Sequence, residues 1–252
     1  MSANRPVLVH CGETLMPQDY VRVVCLSDTH CRLDDVKVPN GDVLLHCGDF
    51  TRKGTLGEVK SFAKSMQKLP HMRKFVIGGN HDLCIDYGCV GLKPKLTQEY
   101  VSQARAVLST CCTYLEDSGA EAFGYYIWGS PYIPKKNKAA FTLPRNSEQL
   151  ASIRSQMPSH TSILMTHCPP RGHNDYSVKH QKPVGCDHLS SFIHGIFPVL
   201  SVFGHIHEGY GASQTEWGVV ANVAVCDRDY EPVHPAVVVD LPVPGPRWQV
   251  RL

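Results

Sequence analysis

"VLSVFGHIHEGYG", residues 199–211, is an apolar run that halts at a glycine and then places two histidines, His205 and His207, two positions apart. A run apolar at nearly every position reads as a strand buried on both faces. The glycine marks its end, and the imidazoles fall where the chain leaves the sheet. Four other stretches repeat the pattern. "VRVVCL" (21–26) is followed by "SDTH", "DVLLHC" (42–47) by "GD", "KFVIGG" (74–79) by "NHD", and "TSILMT" (161–166) by "HCPP".

Between these runs lie helical signals. Residues 55–68 set Leu56, Val59, Phe62, Ala63 and Met66 at helical spacing behind a threonine, and 97–109 begin with Thr97 and carry a second apolar stripe. Residues 146–157 and 187–196 are further helix candidates, and 125–133, 217–225 and 236–241 read as more strands. Strands alternating with helices predict an α/β layered architecture, with a mixed pair of sheets and helices outside. No linker cuts the chain, so residues 1–252 are expected to form one domain. Residues 1–20 would be an N-terminal extension, and 242–252 an extended, proline-rich tail.

In such folds the carboxyl ends of parallel strands share one edge, and the loops there converge on a crevice. The residues gathered at that edge are Asp28, His30, Asp49, Asn80, His81, Asp82, His167, His205 and His207. Residues i and i+2 of an extended segment face the same side. Asp28 and His30 are therefore expected to reach one point, and His205 and His207 another. Seven of these nine side chains, two carboxylates, an amide and four imidazoles with His81 and Asp82 set aside, suit divalent manganese, iron, zinc, cobalt or nickel better than calcium. Seven ligands exceed one ion's needs and fit two ions sharing a carboxylate. Two-metal sites of that kind, with ions about 3.5–4 Å apart, clamp the attacking and leaving oxygens of an in-line displacement.

Composition narrows the alternatives. The 252 residues carry 25 basic and 23 acidic side chains, for a net charge of +2, and the densest basic spot is the short "PKKNK" at 134–138. No basic face for extended nucleic acid is expected. Neither a signal peptide nor a membrane-spanning run is visible, and eleven cysteines in mostly apolar surroundings read as reduced thiols. The expectation is a cytoplasmic protein with no membrane partner. His46, inside the second strand, reads as a structural residue. His173, Asp175, His180 and His188 fall in "RGHNDYSVKHQKPVGCDH", a polar segment that can either line a substrate pocket or form a plain surface loop.

The ordered set "DTH", "GD", "GNHD", "H" and "GHIH", spanning residues 28–207, resembles the calcineurin-like metallophosphoesterase superfamily. "SDTHCRL", "PNGDVLLHCGDFTRKG", "LPHMRKFVIGGNHDL", "THCPPRG" and "VFGHIHEGYG" are similar to its metallophosphoesterase-domain-containing branch, which is related to class III cyclic nucleotide phosphodiesterases. Some animal members of that branch carry glycine at the first histidine of "GHIH", whereas His205 is kept here. Cys168 stands where glycine is usual.

The resemblance implies a four-layer α/β/β/α sandwich. It implies one metal held by Asp28, His30, Asp49 and His207, and a second by Asp49, Asn80, His167 and His205. Asn80 and His81 would contact the phosphate, with His81 as the general acid and Asp82 orienting its loop. Two divalent ions, manganese foremost, would then serve hydrolysis of a small phosphoester, a phosphodiester such as a cyclic nucleotide first of all. A phosphomonoesterase, or a weakly active relative serving as a binding or scaffold protein, are the alternative readings.

Overall fold

The computed structural model describes residues 7–12, 14, 15, 17–134 and 138–244. The end of the proline-rich tail and most of the basic spot at 134–138 lie outside them.

Two six-stranded mixed sheets face each other. The first uses β1 (Leu8–Cys11), β2 (Tyr20–Leu26), β3 (Val43–His46), β4 (Arg73–Val76), β5 (Thr113–Tyr114) and β16 (Val237–Pro242), in the order β1-β16-β2-β3-β4-β5. β2 through β5 run parallel, and β16 pairs antiparallel with both β1 and β2. The second contains β6 (Ser118–Ala122), β7 (Tyr125–Ser130), β10 (Ile163–Thr166), β13 (Leu200–Phe203), β14 (Gly211–Gln214) and β15 (Val219–Asn222), in the order β14-β15-β13-β10-β7-β6. Its four inner strands are parallel and its two edges antiparallel. Two small pairs complete the strands: β8 (Ile133–Pro134) with β9 (Thr142–Leu143), and β11 (Tyr176–Ser177) with β12 (Lys182–Pro183).

Alternation along each inner strand sorts its side chains into separate cores. In β2, Val23 and Cys25 point between the sheets, where they meet Val43, Leu45, Ile163 and Val202. Val24 and Leu26 point outward to Val59, Phe62 and Met66 of α1 (Leu56–Lys68) and to Ala104 and Leu108 of α2 (Gln98–Leu108). Beyond the second sheet, Trp128 and Leu164 pack on Leu150 of α3 (Glu148–Ser155) and on Leu189 and Ile193 of α4 (Asp187–Ile196). Three cores in series make the four layers α/β/β/α. Because both outer faces carry helices, the strands read as continuous apolar runs.

All four expected helices form: α4 spans the expected residues, and the other three begin later than expected, after the N-caps Thr55, Thr97 and Ser147. Thr55 is the N-cap of α1 in a reciprocal capping box with Glu58: Glu58 N donates to Thr55 Oγ1 and Thr55 N to Glu58 Oε2. β1 falls inside the expected N-terminal extension. Its residues pair with Val237–Asp240 and close the edge of the first sheet.

Candidate metal centre

The strands that carry the apolar runs end on one edge of the two sheets. β2, β3 and β4 of the first sheet deliver Asp28, His30, Asp49, Asn80 and His81, while β10 and β13 of the second deliver His167, His205 and His207. Main-chain bonds stitch the exits together: Asp28 N donates to Gly48 O, His30 N to Asp49 O, and Gly204 N to His167 O. Asp28, His30, Asp49 and His205 all sit at positive φ, 55°, 41°, 54° and 67°. Four non-glycine residues held in the left-handed region at one spot mark a strained, over-determined site. Two glycines are required by proximity. A Cβ on Gly204 would strike Asp28 Oδ2 and Ser27 Oγ, and one on Gly79 would strike Asp49 Oδ1.

The left-handed turns correct one expectation. Asp28 and His30 do reach one point, as expected, but His205 and His207 do not. The turns aim the side chains, and they separate His205 from His207. His207 groups with Asp28 and His30, and His205 with Asp49 and His167; a third group joins His30, Asp49 and His81. Asp49 thus belongs to two groups at once, and His30 links two as well. Asn80 Oδ1 lies 3.3 Å from His167 Nε2.

Hydrogen bonds define which atoms face inward. Four imidazoles direct Nδ1 at a main-chain carbonyl: His30 at Thr51 O, His81 at Arg52 O, His167 at Cys47 O and His207 at Asp227 O, at 2.7–3.2 Å. A carbonyl only accepts, so each Nδ1 carries the proton and each Nε2 turns to the centre. The carboxylates are split the same way. Asp28 Oδ2 accepts from His205 N and Asp49 Oδ1 from His81 N. Buried Asp28 Oδ1 has no hydrogen bond, although His207 Nε2 is 3.2 Å away. His30 Nε2 and His207 Nε2 face each other at 3.4 Å. Lone pairs of carboxylate, amide and imidazole directed at common points are the donor set of a borderline divalent cation.

Electrostatics agree. Burial pushes the His167 and His207 imidazoles down, but the charges of Asp49 and Asp28 beside them outweigh it and raise both to about 9. Burial works against the charged form of Asp49 and Asp28 too, yet the neighbouring imidazoles hold both carboxyls below the ordinary range. His30, where burial dominates, is lowered. Asp82 is the brace. Its carboxylate accepts from Asp49 N, Gly79 N, Thr51 N and Thr51 Oγ1 at 2.7–2.9 Å, so it ties the Asp49 loop to the His81 loop. Burial and the nearby Asp49 charge raise its pKa to about 7. His46 is buried and bonded to Thr29 Oγ1 outside the centre, as its strand position suggested.

The calcineurin-like phosphoesterase profile matches residues 21–209, three quarters of the chain. The chain belongs to the calcineurin-like phosphoesterase family. Human metallophosphoesterase domain-containing protein 1 is 40% identical over 240 residues, covering 90% of this chain and 73% of the relative. The Caenorhabditis elegans UPF0046 protein T07D4.2 is 35% identical over 249 residues, covering 92% and 62%. The crystal structure of TT1561 of Thermus thermophilus superposes with a TM-score of 0.54 over 81% of this chain and 89% of that one. A second solved structure gives 0.58 over 81% and 91%. Both are 14% identical, so that likeness concerns the fold alone.

Members of this family are phosphoester hydrolases that use divalent metals, and the clusters around Asp28 and Asp49 supply residues able to hold them. The centre of this phosphoesterase opens into a cavity of about 480 Å³. Of the polar segment at 171–188, His180 lines the cavity, whereas His173, Asp175 and His188 do not. Asp175 is buried and accepts from Gly185 N. Lys179 and Lys182 of the same segment, not singled out by sequence reading, also line the cavity, as do Arg145, Arg228 and Tyr230, which that reading missed. Tyr230 packs edge-on against His30 at 4.5 Å and lies under the Arg52 guanidinium. Lys179 and Lys182 sit in "VKHQK", where a run of basic residues was the available signal; "CDRDYE" around Arg228 and Tyr230 offers none. Among the described residues, no helix is long and apolar enough to cross a membrane.

Proposed function

We propose that this phosphoesterase hydrolyses small phosphodiesters, cyclic nucleotides among them, with two divalent cations, manganese foremost. One ion would be held by Asp28, His30, Asp49 and His207, and the other by Asp49, Asn80, His167 and His205. The observation that carries the reading is Asp49's membership of two ligand groups at once, with buried Asp28 Oδ1 lacking a hydrogen-bond donor. Bound there, the cations would acidify water and neutralise phosphate oxygens.

The chain's own residues do the rest. Asp82 holds the loops of Asp49 and His81 in fixed relation. Asn80 presents its amide where a phosphate oxygen enters. His81, oriented by Arg52 O, directs Nε2 at the cavity and gives a proton to the leaving oxygen. Its side chain is 31% exposed, so the proton is replenished from solvent. The cavity volume supports a small substrate. The motifs shared with the cyclic-nucleotide phosphodiesterase branch support the diester preference. Eleven free cysteines support a reducing compartment such as the cytoplasm.

The test is metal analysis of the manganese-loaded protein with parallel assays on bis-p-nitrophenyl phosphate and p-nitrophenyl phosphate. Two metals per chain and faster diester cleavage are expected. Faster monoester cleavage would make it a monoesterase, and two bound metals without turnover would leave a binding or scaffold role.

A further inference from the structure

The wall of the cavity is a hairpin fastened at both ends. β11 and β12 are only two residues each, too short to hold themselves. Side chains from elsewhere fix them. Val178 N donates to Glu208 Oε1 at 2.7 Å, beside His207. Gly185 N donates to Asp175 Oδ2, and Arg145 donates to the carbonyls of Val184 and Gly185 at 2.6 Å each. Asn174 Nδ2 donates to Gly209 O, again in the loop that follows His207. The hairpin is thereby tied to the loop that carries a ligand.

Its tip and the start of β12 present Lys179, His180 and Lys182 to the cavity that Asn80, His81 and His207 also line, and Arg228 joins them from the loop before β16. Among the described residues, the side chains of Lys179, Lys182 and Arg228 have no hydrogen-bond or ion-pair partner. Apart from Asp49, Glu208 is the only carboxylate among the described lining residues, and it is bonded to Val178 N. Unpaired cations on a fixed wall repel one another and focus the field on whatever enters. A scissile phosphodiester at the metal centre carries one negative charge and does not require them.

We propose that this wall is a second anion subsite, and that the preferred substrates are phosphodiesters carrying a further, terminal phosphate. The inference rests on the phosphodiesterase reading above. The scissile group would sit at Asn80 and His81, and the terminal phosphate against Lys179, Lys182 and Arg228.

Two dinucleotides test it on the manganese-loaded protein: ApA and pApA, which share the scissile bond and differ by a 5′-phosphate. The expected result is a kcat/KM for pApA about tenfold above that for ApA, the size of one charge-assisted contact, carried mainly by KM. The ratio should shrink as salt rises. It should fall towards one in Lys179→Ala/Lys182→Ala and in Arg228→Ala. Because the ratio is internal to each protein, a partly misfolded variant does not distort it. Equal cleavage of the two dinucleotides by the unmodified chain would overturn the subsite. So would a preference that survives in every variant, since the metals themselves would then be attracting the extra charge. Calorimetric binding of pApA and ApA reads the same preference without turnover. Equal binding overturns the subsite, whereas preferential binding of pApA without cleavage of any diester keeps the subsite and overturns the phosphodiesterase reading.

Discussion

The floor of the cavity and its wall are made differently. At the floor, Asp28, His30, Asp49 and His167 are buried and oriented by main-chain groups, the first three of them in left-handed turns. At the wall, Lys179, His180 and Lys182 are exposed on a short hairpin clamped by Arg145, Asp175 and Glu208. The floor has to place lone pairs to within tenths of an ångström, because a cation tolerates little error. The wall has only to place charge, which acts over several ångströms and survives side-chain motion. Ligand atoms are thus placed by buried main-chain anchors, and charge by exposed side chains on a clamped hairpin.

The contrast can be broken most severely at Asp49. Asp49→Asn is expected to lose both metals and about 10³-fold or more of turnover, since several kcal/mol of charge stabilisation disappear. Mass spectrometry of the bound metal alongside kinetics checks this. Retention of both metals at normal turnover would show that the floor does not depend on a shared carboxylate.

Next in size is His81→Ala. Removing a general acid costs about 10²–10⁴-fold. The loss should be greater for alkoxide leaving groups than for p-nitrophenolate, which departs without a proton. An equal loss on both would reassign His81 to binding.

A smaller effect separates the floor's electrostatics from its metals. His167 and His207 are raised to about 9 by their carboxylates, against about 6.5 in an unfolded chain. A raised imidazole stabilises the fold fully below the unfolded value and loses that contribution as pH climbs through the folded one. The melting temperature of the chelated protein should therefore fall by several degrees from pH 6.5 to 9. The metal-loaded protein should change little, its imidazoles already being deprotonated. Parallel slopes in calorimetric scans of the two forms would contradict the grouping of these histidines with Asp28 and Asp49.

The smallest expected change lies in the wall. Glu208 is exposed, so Glu208→Ala should cost at most about 1 kcal/mol of stability. Freed from its anchor at Val178, the hairpin should raise KM about threefold, which steady-state kinetics can resolve. A loss as large as that of His81→Ala would place the wall in the chemistry.

Sequence reading reached the floor because ligand types there sit at the ends of uninterrupted apolar runs, and both signals are strong. "VFGHIH" and "VIGGNHD" announce a strand, a stop and a donor within seven residues. Alternation brought Asp28 and His30 together correctly but failed for His205 and His207, which the family resemblance divides. Left-handed φ at Asp28, His30, Asp49 and His205 leaves no trace in composition, since aspartate and histidine occur in ordinary turns as well. Alternation therefore paired His205 with His207, which the turns separate. The wall was harder to see. Two-residue strands have no periodicity, and a loop such as "VKHQK" looks the same whether it faces solvent or a cavity. What distinguishes it is the set of distant anchors, Arg145 at 39 and 40 positions and Glu208 at 30.

Cys47, Thr51, Arg52 and Asp227 steer four imidazoles, yet none does so with its side chain; each lends only its peptide oxygen. Peptide oxygens are common to every amino acid. A lineage could therefore rewrite those four positions without rotating a single ring, as long as the path of the main chain was inherited. The aim of the donors is stored in the trace of the polypeptide, where a comparison of residue identities would not find it.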